Sequence, residues 1–205
     1  MQPIDSYRKI PKQERAQATV DAILEATARI LEGERQASLT TNSIAEIAGV
    51  SIGTLYQYFP DKNAILVALA REELTKTSQA VMESLSEPAD GSALDEPIRA
   101  SIRALLKGFK GRRFARGRLI EALLANGLSS ELAHPVDLAM QEILTVQAKD
   151  RAKDAVHISE IRAYVLTRAI VGAIRAAVME NSNHFGTKAF EDELVRMAEK
   201  MIAQP

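Results

Sequence analysis

The segment from Thr40 to Pro60 constrains the fold more than any other part of this chain. Its first half carries apolar residues at helical spacing and ends at Gly49, the residue type that most often follows a helix. A second short helix is predicted from Gly53 to Phe59, because the residue before a proline avoids the α region. Two short helices joined by a glycine turn predict a helix-turn-helix, with an ordinary αα-hairpin as the alternative.

Three positions favour the helix-turn-helix. Ala45 is small where the two helices would cross, Gly49 lies at the turn, and Leu55 is placed to return the second helix to the core. The rest of the apolar seam is formed by Ile44, Ala48 and Val50. This spacing predicts two helices that pack closely on one shared core.

The remainder of the chain is predicted to be helical as well. Ala and Leu dominate, apolar residues make up 46% of the 205 residues, and few stretches alternate with period two. A first helix is predicted from Gln13 to Leu31, and Asp61 is placed to cap a long fourth helix that runs to about Leu85. Further helices are predicted at roughly 98–109, 116–127, 136–154, 158–181 and 187–203.

This pattern predicts an all-α fold in which a long helix joins two domains. The first is an N-terminal three-helix helix-turn-helix domain at residues 13–62, and the second is a larger helical domain at residues 63–205. The loop from Ser86 to Pro97 has the densest content of Pro, Gly, Asp and Ser in the chain.

Composition excludes several classes of protein. The chain has no cysteine, which rules out disulfides and thiolate metal sites. Its first residues, MQPIDSYRKIPKQ, lack the apolar core of a signal peptide, and no run approaches the roughly 18 apolar residues of a membrane span. We therefore expect a soluble cytoplasmic protein without metal or cofactor. Because the net charge is only −1, any anionic partner must be bound by a local group of positively charged residues.

One side of the second short helix suits contact with DNA. At about 100° per residue, Leu55 and Phe59 lie together on the buried side with Tyr58 beside them. The opposite side is uncharged and consists of short or hydrogen-bonding residues: Gly53, Thr54, Tyr56 and Gln57. Glutamine can pair with adenine through two hydrogen bonds, hydroxyls can hold phosphates, and glycine permits close approach. Lys62 adds a cation just beyond, and Tyr58 fits either the core or a phosphate contact.

The residues from Leu39 to Lys62, LTTNSIAEIAGVSIGTLYQYFPDK, resemble the DNA-binding domain of the TetR family of transcriptional regulators. The resemblance spans about Arg15 to Leu69 and rests on the Gly-Thr-Leu-Tyr, Tyr-Phe and Lys elements at the spacing of that family. Beyond Leu85 it is only architectural. The resemblance implies DNA contacts from the start of the supporting helix (Thr41, Asn42), base-edge contacts (Thr54, Gln57) and phosphate contacts (Tyr56, Tyr58, Lys62).

The resemblance also implies that the larger domain binds a small-molecule effector and forms a homodimer through its last two helices. The helix at 158–181 is rich in small residues, and the last helix carries an apolar stripe, although both patterns also fit a core within one chain. Candidate pocket residues are Phe109, Leu123, Tyr164 and Arg168. The last two, at i and i+4, would give an apolar cavity a polar end, or would instead pair with surface acids.

Two basic stretches have more than one interpretation. The segment Lys107–Arg118 contains six cations and no acid, which fits an anionic ligand such as a coenzyme A thioester, a place near the DNA backbone, or a solvated connector. The tail Tyr7–Arg15 has a local charge of +3 and fits either an arm along DNA or a solubilising end.

The sequence bears on three classes of function. An enzyme is disfavoured, because the sequence has no Gly-x-Ser-x-Gly elbow, no P-loop and no His-Glu-x-x-His motif. A helical interaction adaptor is disfavoured by the hydroxyl-rich side of the second short helix. The prediction is a dimeric transcriptional regulator that binds double-stranded operator DNA, and in particular a repressor that a small molecule releases.

Overall fold

The computed structural model describes residues 7–8, 13–33, 38–86, 95–110, 112–149 and 158–203. Over this part of the chain the secondary structure is entirely helical, which confirms the predicted all-α class. The helices are α1 (Glu14–Leu31), α2 (Thr41–Ala48), α3 (Ile52–Tyr58), α4 (Lys62–Ser86), α5 (Asp95–Lys110), α6 (Arg113–Ala125), α7 (Ser129–Lys149), α8 (Glu160–Met179) and α9 (Lys188–Ala203).

The chain divides into two compact units. The first contains Met1–Glu73 and Arg112–Ser129, and therefore α1 to α3, the start of α4 and α6. The second contains Leu74–Gly111 and Ser130–Pro205. This division by packing differs from the predicted domains, because α6 packs on α1 although it is distant in sequence. The functional division at residues 13–62 and 63–205 stays a prediction.

The core of the first unit follows the helical period of the sequence. Residues of α1 that recur every three or four positions, such as Val20, Ile23 and Leu24, are buried. α1 packs on α2, and α2 packs on α3. Leu55 and Phe59 are completely buried, as predicted. Each side chain of this size contributes about 1.5–3 kcal/mol by its burial, so the short α3 is held by its core face rather than by helix propensity.

A buried ion pair attaches α6 to α4 within the first unit. The Nη2 of Arg116 lies 2.7 Å from the Oε2 of Glu73, and the two side chains are 6% and 11% exposed. Burial lowers the pKa of the Arg116 guanidinium, while the charge of Glu73 opposes that change. The pair is therefore a desolvated charge pair and not a surface contact.

Further contacts attach the start of α6 to α1. Arg112 donates from its Nη2 to the Oε2 of Glu25 at 2.6 Å. The backbone N–H of Ala115, one of the N–H groups without a helical partner at the start of α6, donates to the Oε1 of Glu32 at 2.6 Å. Arg118 of the same basic segment, Lys107–Arg118, pairs with Glu121 as well. At least three arginines of the segment thus meet carboxylates of this chain, a role outside its three interpretations.

The second unit is built on α5, α8 and α9, which pack on one another. Arg99 of α5 is bonded to Glu191 and Asp192 of α9, at 3.3 and 2.7 Å. A Cβ atom on Gly108 of α5 would lie 2.7 Å from the Oγ1 of Thr77 in α4, which explains glycine at this crossing.

Helix α7 begins earlier than predicted. Its first residue is Ser129, whereas the sequence pattern predicted a start at 136, directly after Pro135. Proline removes one backbone N–H from a helix, but here Pro135 lies inside α7. The Nη2 of Arg175 donates to the carbonyl oxygen of Leu132 at 2.5 Å, close to the proline. The predicted end of this helix, at 150–154, lies outside the described residues.

Candidate nucleic-acid interface

The turn between α2 and α3 has a backbone conformation that favours glycine at position 49. Thr40 caps α2 by accepting from the backbone N–H of Ser43 at 3.1 Å. Gly49 follows the helix with φ of 70°, a left-handed conformation that favours glycine. The N–H of Val50 then returns to the carbonyl of Ala45 at 3.0 Å and fixes the direction in which the chain leaves the helix.

Side-chain caps hold the start of α3 and the start of α4. Ser51 accepts from the N–H of Thr54 at 3.0 Å, and its Oγ lies 2.8 Å from the Oγ1 of Thr54. After α3, Pro60 prevents continuation, and Asp61 caps α4 by accepting from the N–H of Ala64 at 2.9 Å. The predicted cap at Asp61 is confirmed, and α3 is a rigid stub between two capped turns.

The two sides of α3 separate as the helical period predicts. On one side, Leu55 and Phe59 have no exposed surface. On the other, the side chains of Tyr56 and Gln57 are exposed, and those of Thr54 and Tyr58 are half-buried. We call the residues Gly53, Thr54, Tyr56 and Gln57 the outer face of α3. This face carries no charge and stands on a completely buried support.

A hydrogen bond between side chains joins the outer face of α3 to the start of α2. The Oγ1 of Thr41 and the hydroxyl of Tyr56 lie 3.2 Å apart. Tyr56 is 40% exposed, so this bond directs a large ring that is otherwise accessible. The neighbouring Asn42 and, at the start of α4, Lys62 are exposed. The arrangement presents hydroxyls, amides and one ammonium group, which are donors suited to phosphates and base edges.

Tyr7 and Arg8 of the N-terminal segment also contact this region. The sequence alone did not predict where this segment lies. The ring of Tyr7 packs against Phe59, with ring centroids 5.1 Å apart and planes tilted by 40°. The backbone N–H of Arg8 donates to the carbonyl of Tyr58 at 2.7 Å. Lys9 and Lys12 of the same basic tail lie outside the described residues.

The candidate effector residues have different surroundings. Phe109, in the second unit, and Leu123, in the first, are buried. Tyr164 is 53% exposed, and the guanidinium of Arg168 lies over its ring, 4.1 Å from the centroid. Arg168 is also paired with Asp137, which agrees with the surface-acid alternative for this residue.

A depression of about 310 Å³ lies beside Tyr164 and is lined by Met140, Glu160 and Ile161 as well. The role of the four candidate residues in effector binding stays a prediction.

In the described parts of the chain, no helix combines the length and apolarity needed to cross a membrane. Those parts also contain no cluster of three side chains arranged to hold a metal ion.

Comparison with known proteins finds one family that resembles the N-terminal part of this chain. Residues 23–69 match the family model described as bacterial regulatory proteins, tetR family. The HTH-type transcriptional regulator BetI of Pseudomonas aeruginosa is 36% identical over 89 residues, which are 43% of this chain and 41% of BetI. The chain thus matches only about two fifths of the length of that relative.

Two longer matches extend over both units. An uncharacterized HTH-type transcriptional regulator of Mycobacterium tuberculosis is 26% identical over 186 residues, covering 79% of this chain and 92% of that protein. The crystal structure of a TetR family transcription regulator from Marinobacter aquaeolei VT8 aligns with a TM-score of 0.61 and 23% identity, covering 94% of this chain and 99% of that one. The second match concerns the fold alone.

Proposed function

We propose that this chain, whose residues 23–69 match the model of the tetR family of bacterial regulatory proteins, is a dimeric, cytoplasmic transcriptional regulator of that family, and in particular a repressor that a small molecule releases from its operator. The observation that carries the proposal is the outer face of α3, which is exposed and uncharged above two completely buried residues. A rigid support matters because a helix can read bases only if its side chains keep a fixed register on the DNA.

In the proposed complex α3 lies in the major groove. An α-helix with its side chains is about 10–12 Å in diameter, which fits a groove about 12 Å wide. Thr54 and Gln57 face the base edges, and Thr41 and Asn42 bring the start of α2 against the DNA. The phosphate contacts come from Tyr56, Tyr58 and Lys62. The bond from Thr41 to Tyr56 supports this assignment, because it orders the ring before DNA arrives.

The proposed dimer forms through α8 and α9. On one side of α8, exposed apolar or small residues recur at helical spacing: Ile161, Val165, Gly172, Ala176 and Met179. Ile161, Val165 and Met179 are 78%, 47% and 47% exposed, and it is such a group of apolar side chains, rather than any single one, that favours an interface. A dimer also supplies the second recognition helix that half-sites about 34 Å apart, or a multiple of that distance, require.

A charge placed on this side of α8 tests the dimer. Val165→Glu is expected to raise the dissociation constant of the dimer at least about 100-fold, because an unpaired charge buried in an interface costs several kcal/mol. Light scattering after size-exclusion chromatography measures the change. The matched control is Gln141→Glu on α7, where the side chain is exposed and the same charge is added. A Val165→Glu protein that remains as dimeric as the control would contradict this interface.

The proposed response to a small molecule takes place in the helical domain that follows α3. Helix α4 is continuous from Lys62 to Ser86 and begins directly after the turn at Pro60 and Asp61. An effector that binds one dimer geometry more tightly than the other would shift the population toward that geometry and change the separation of the half-sites.

Titration of duplex DNA at increasing salt tests the function itself. The protein is mixed with a pool of promoter fragments, and binding is followed between about 50 and about 200 mM salt. A dimer that contacts several phosphates is expected to lose affinity steeply, with a slope of about −0.9 per phosphate neutralised in the logarithmic plot. Failure to retain any fragment at the lowest salt would count against a DNA-binding role.

A further inference from the structure

The N-terminal segment is attached to the end of α3 by two independent contacts. The aromatic ring of Tyr7 packs on Phe59, and the N–H of Arg8 donates to the carbonyl of Tyr58 at 2.7 Å. The last carbonyls of a helix have no partner within it, so the Arg8 N–H satisfies a group that would otherwise need water. This segment is therefore held where α3 ends and the chain turns toward α4.

Tyr7 packs on the turn after α3 and is influenced by charged residues of α1 and α4. Besides its contact with Phe59 after α3, it is close enough to Asp21 of α1 and to Arg71 and Glu72 of α4 for their charges to act on it. Burial raises the pKa of the Tyr7 hydroxyl, and the carboxylates of Glu72 and Asp21 raise it further. The ring is thus partly withdrawn from water, as expected of an anchor.

Arg8 follows this anchor but is itself exposed. The structure shows no carboxylate of the described chain in an ion pair with its guanidinium. Its backbone is bonded to Tyr58, and Lys62 follows only four residues later. A cation without a carboxylate partner therefore stands at the end of α3 to which the proposed phosphate contacts belong.

We propose that Arg8 contacts the DNA backbone beside the recognition helix, and that Tyr7 is the residue that positions it. The proposal rests on the proposed function, because it adds a contact to the same DNA complex. A guanidinium binds a phosphate through two parallel hydrogen bonds, and anchoring its backbone reduces the conformational entropy lost on binding. Tyr7 and Arg8 then act as a DNA-binding arm rather than as part of a solubilising end.

The charge of Arg8 is tested by the salt dependence of DNA binding. Arg8→Ala is expected to reduce the slope of the logarithmic salt plot by about 1 for each protomer, and so by about 2 for a dimer, with a similar loss of affinity on every sequence bound. The matched control is Arg103→Ala, which removes the same charge from an exposed position on α5, outside α3 and the proposed dimer helices. An Arg8→Ala slope equal to that of the control would overturn the proposal.

The role of Tyr7 is tested with a double-mutant cycle. Tyr7→Ala is expected to lower DNA affinity in the wild-type background and to have no further effect in the Arg8→Ala background, because its action passes through Arg8. Tyr7→Phe, which keeps the ring, is expected to bind like the wild type. An equal loss from Tyr7→Ala in both backgrounds would overturn the positioning role and assign Tyr7 to the support of α3 alone.

DNA titrations of the wild type and of Lys62→Ala distinguish failure of this inference from failure of the proposed function. If the wild type binds no duplex, both are overturned. If the wild type binds and Lys62→Ala weakens it while Arg8→Ala does not, only the arm is overturned. Thermal unfolding of each variant, followed by circular dichroism, shows that the compared proteins are equally folded at the temperature of the titration.

Discussion

Replacing Glu73 with alanine is expected to lower the free energy of unfolding by about 3–5 kcal/mol. Glu73 is bonded to Arg116 at 2.7 Å, and both side chains are almost completely buried. The substitution leaves the guanidinium in a poorly hydrated site without its carboxylate, and an uncompensated buried charge is among the most costly local changes in a protein. The pair lies in the unit that contains α3, so the loss would weaken the support of the proposed DNA-binding face.

Chemical unfolding followed by circular dichroism measures this effect. Glu73→Leu combined with Arg116→Met is expected to recover most of the loss, since replacing both members of a buried pair with apolar residues is often neutral or stabilising. The control is Glu121→Ala, which breaks the exposed pair with Arg118 and should cost less than about 1 kcal/mol. If Glu73→Ala were as mild as this control, the buried pair would not have the energetic role assigned to it.

Replacing both Tyr56 and Lys62 with alanine is expected to lower the affinity for operator DNA at least about 100-fold. The double change removes two proposed phosphate contacts from each protomer and four from a dimer, and each is worth about 1 kcal/mol or more. The hydrogen bond that orients the Tyr56 ring from Thr41 is lost as well. Fluorescence anisotropy with a labelled duplex at fixed salt measures the change.

The stability of this variant should change little, because the side chains of Tyr56 and Lys62 are both exposed. Arg103→Ala, at an exposed position on α5 and outside the proposed dimer helices, controls for the loss of one positive charge. A double variant that binds DNA within about twofold of this control would exclude Tyr56 and Lys62 as phosphate contacts. It would also favour the interaction adaptor over the regulator.

The features that the sequence predicted best depend on residues that are close together along the chain. Gly49 marked the end of α2 because a left-handed φ favours glycine, and Asp61 marked the start of α4 because its carboxylate accepts from a free backbone N–H. The two sides of α3 followed from the helical angle alone, and the complete burial of Leu55 and Phe59 confirms that reasoning.

The features that sequence missed depend on residues distant along the chain. Arg112 and Arg116 were read only as part of a basic segment, yet their partners are Glu25, 87 residues away, and Glu73. No local spacing connects such residues. The start of the helix predicted at 136–154 was placed too late, because α7 begins at Ser129 and continues through Pro135.

The candidate pocket was the least predictable part of the site. Apolar residues such as Phe109 and Leu123 have the same pattern in a core as in a cavity wall, and both are buried. The pair of Tyr164 and Arg168 was recognised from its helical spacing, but the sequence could not show that Asp137 supplies the counter-charge.

The central claim is that the outer face of α3 docks into the major groove of double-stranded DNA. Selection of random duplexes on the purified protein tests it most directly, because the enriched sequences reveal both the bases read and the spacing of the sites. The account predicts enrichment of paired half-sites whose centres lie about 34 Å, or a multiple of that distance, apart. A selected pool with the same base composition as the input would contradict it.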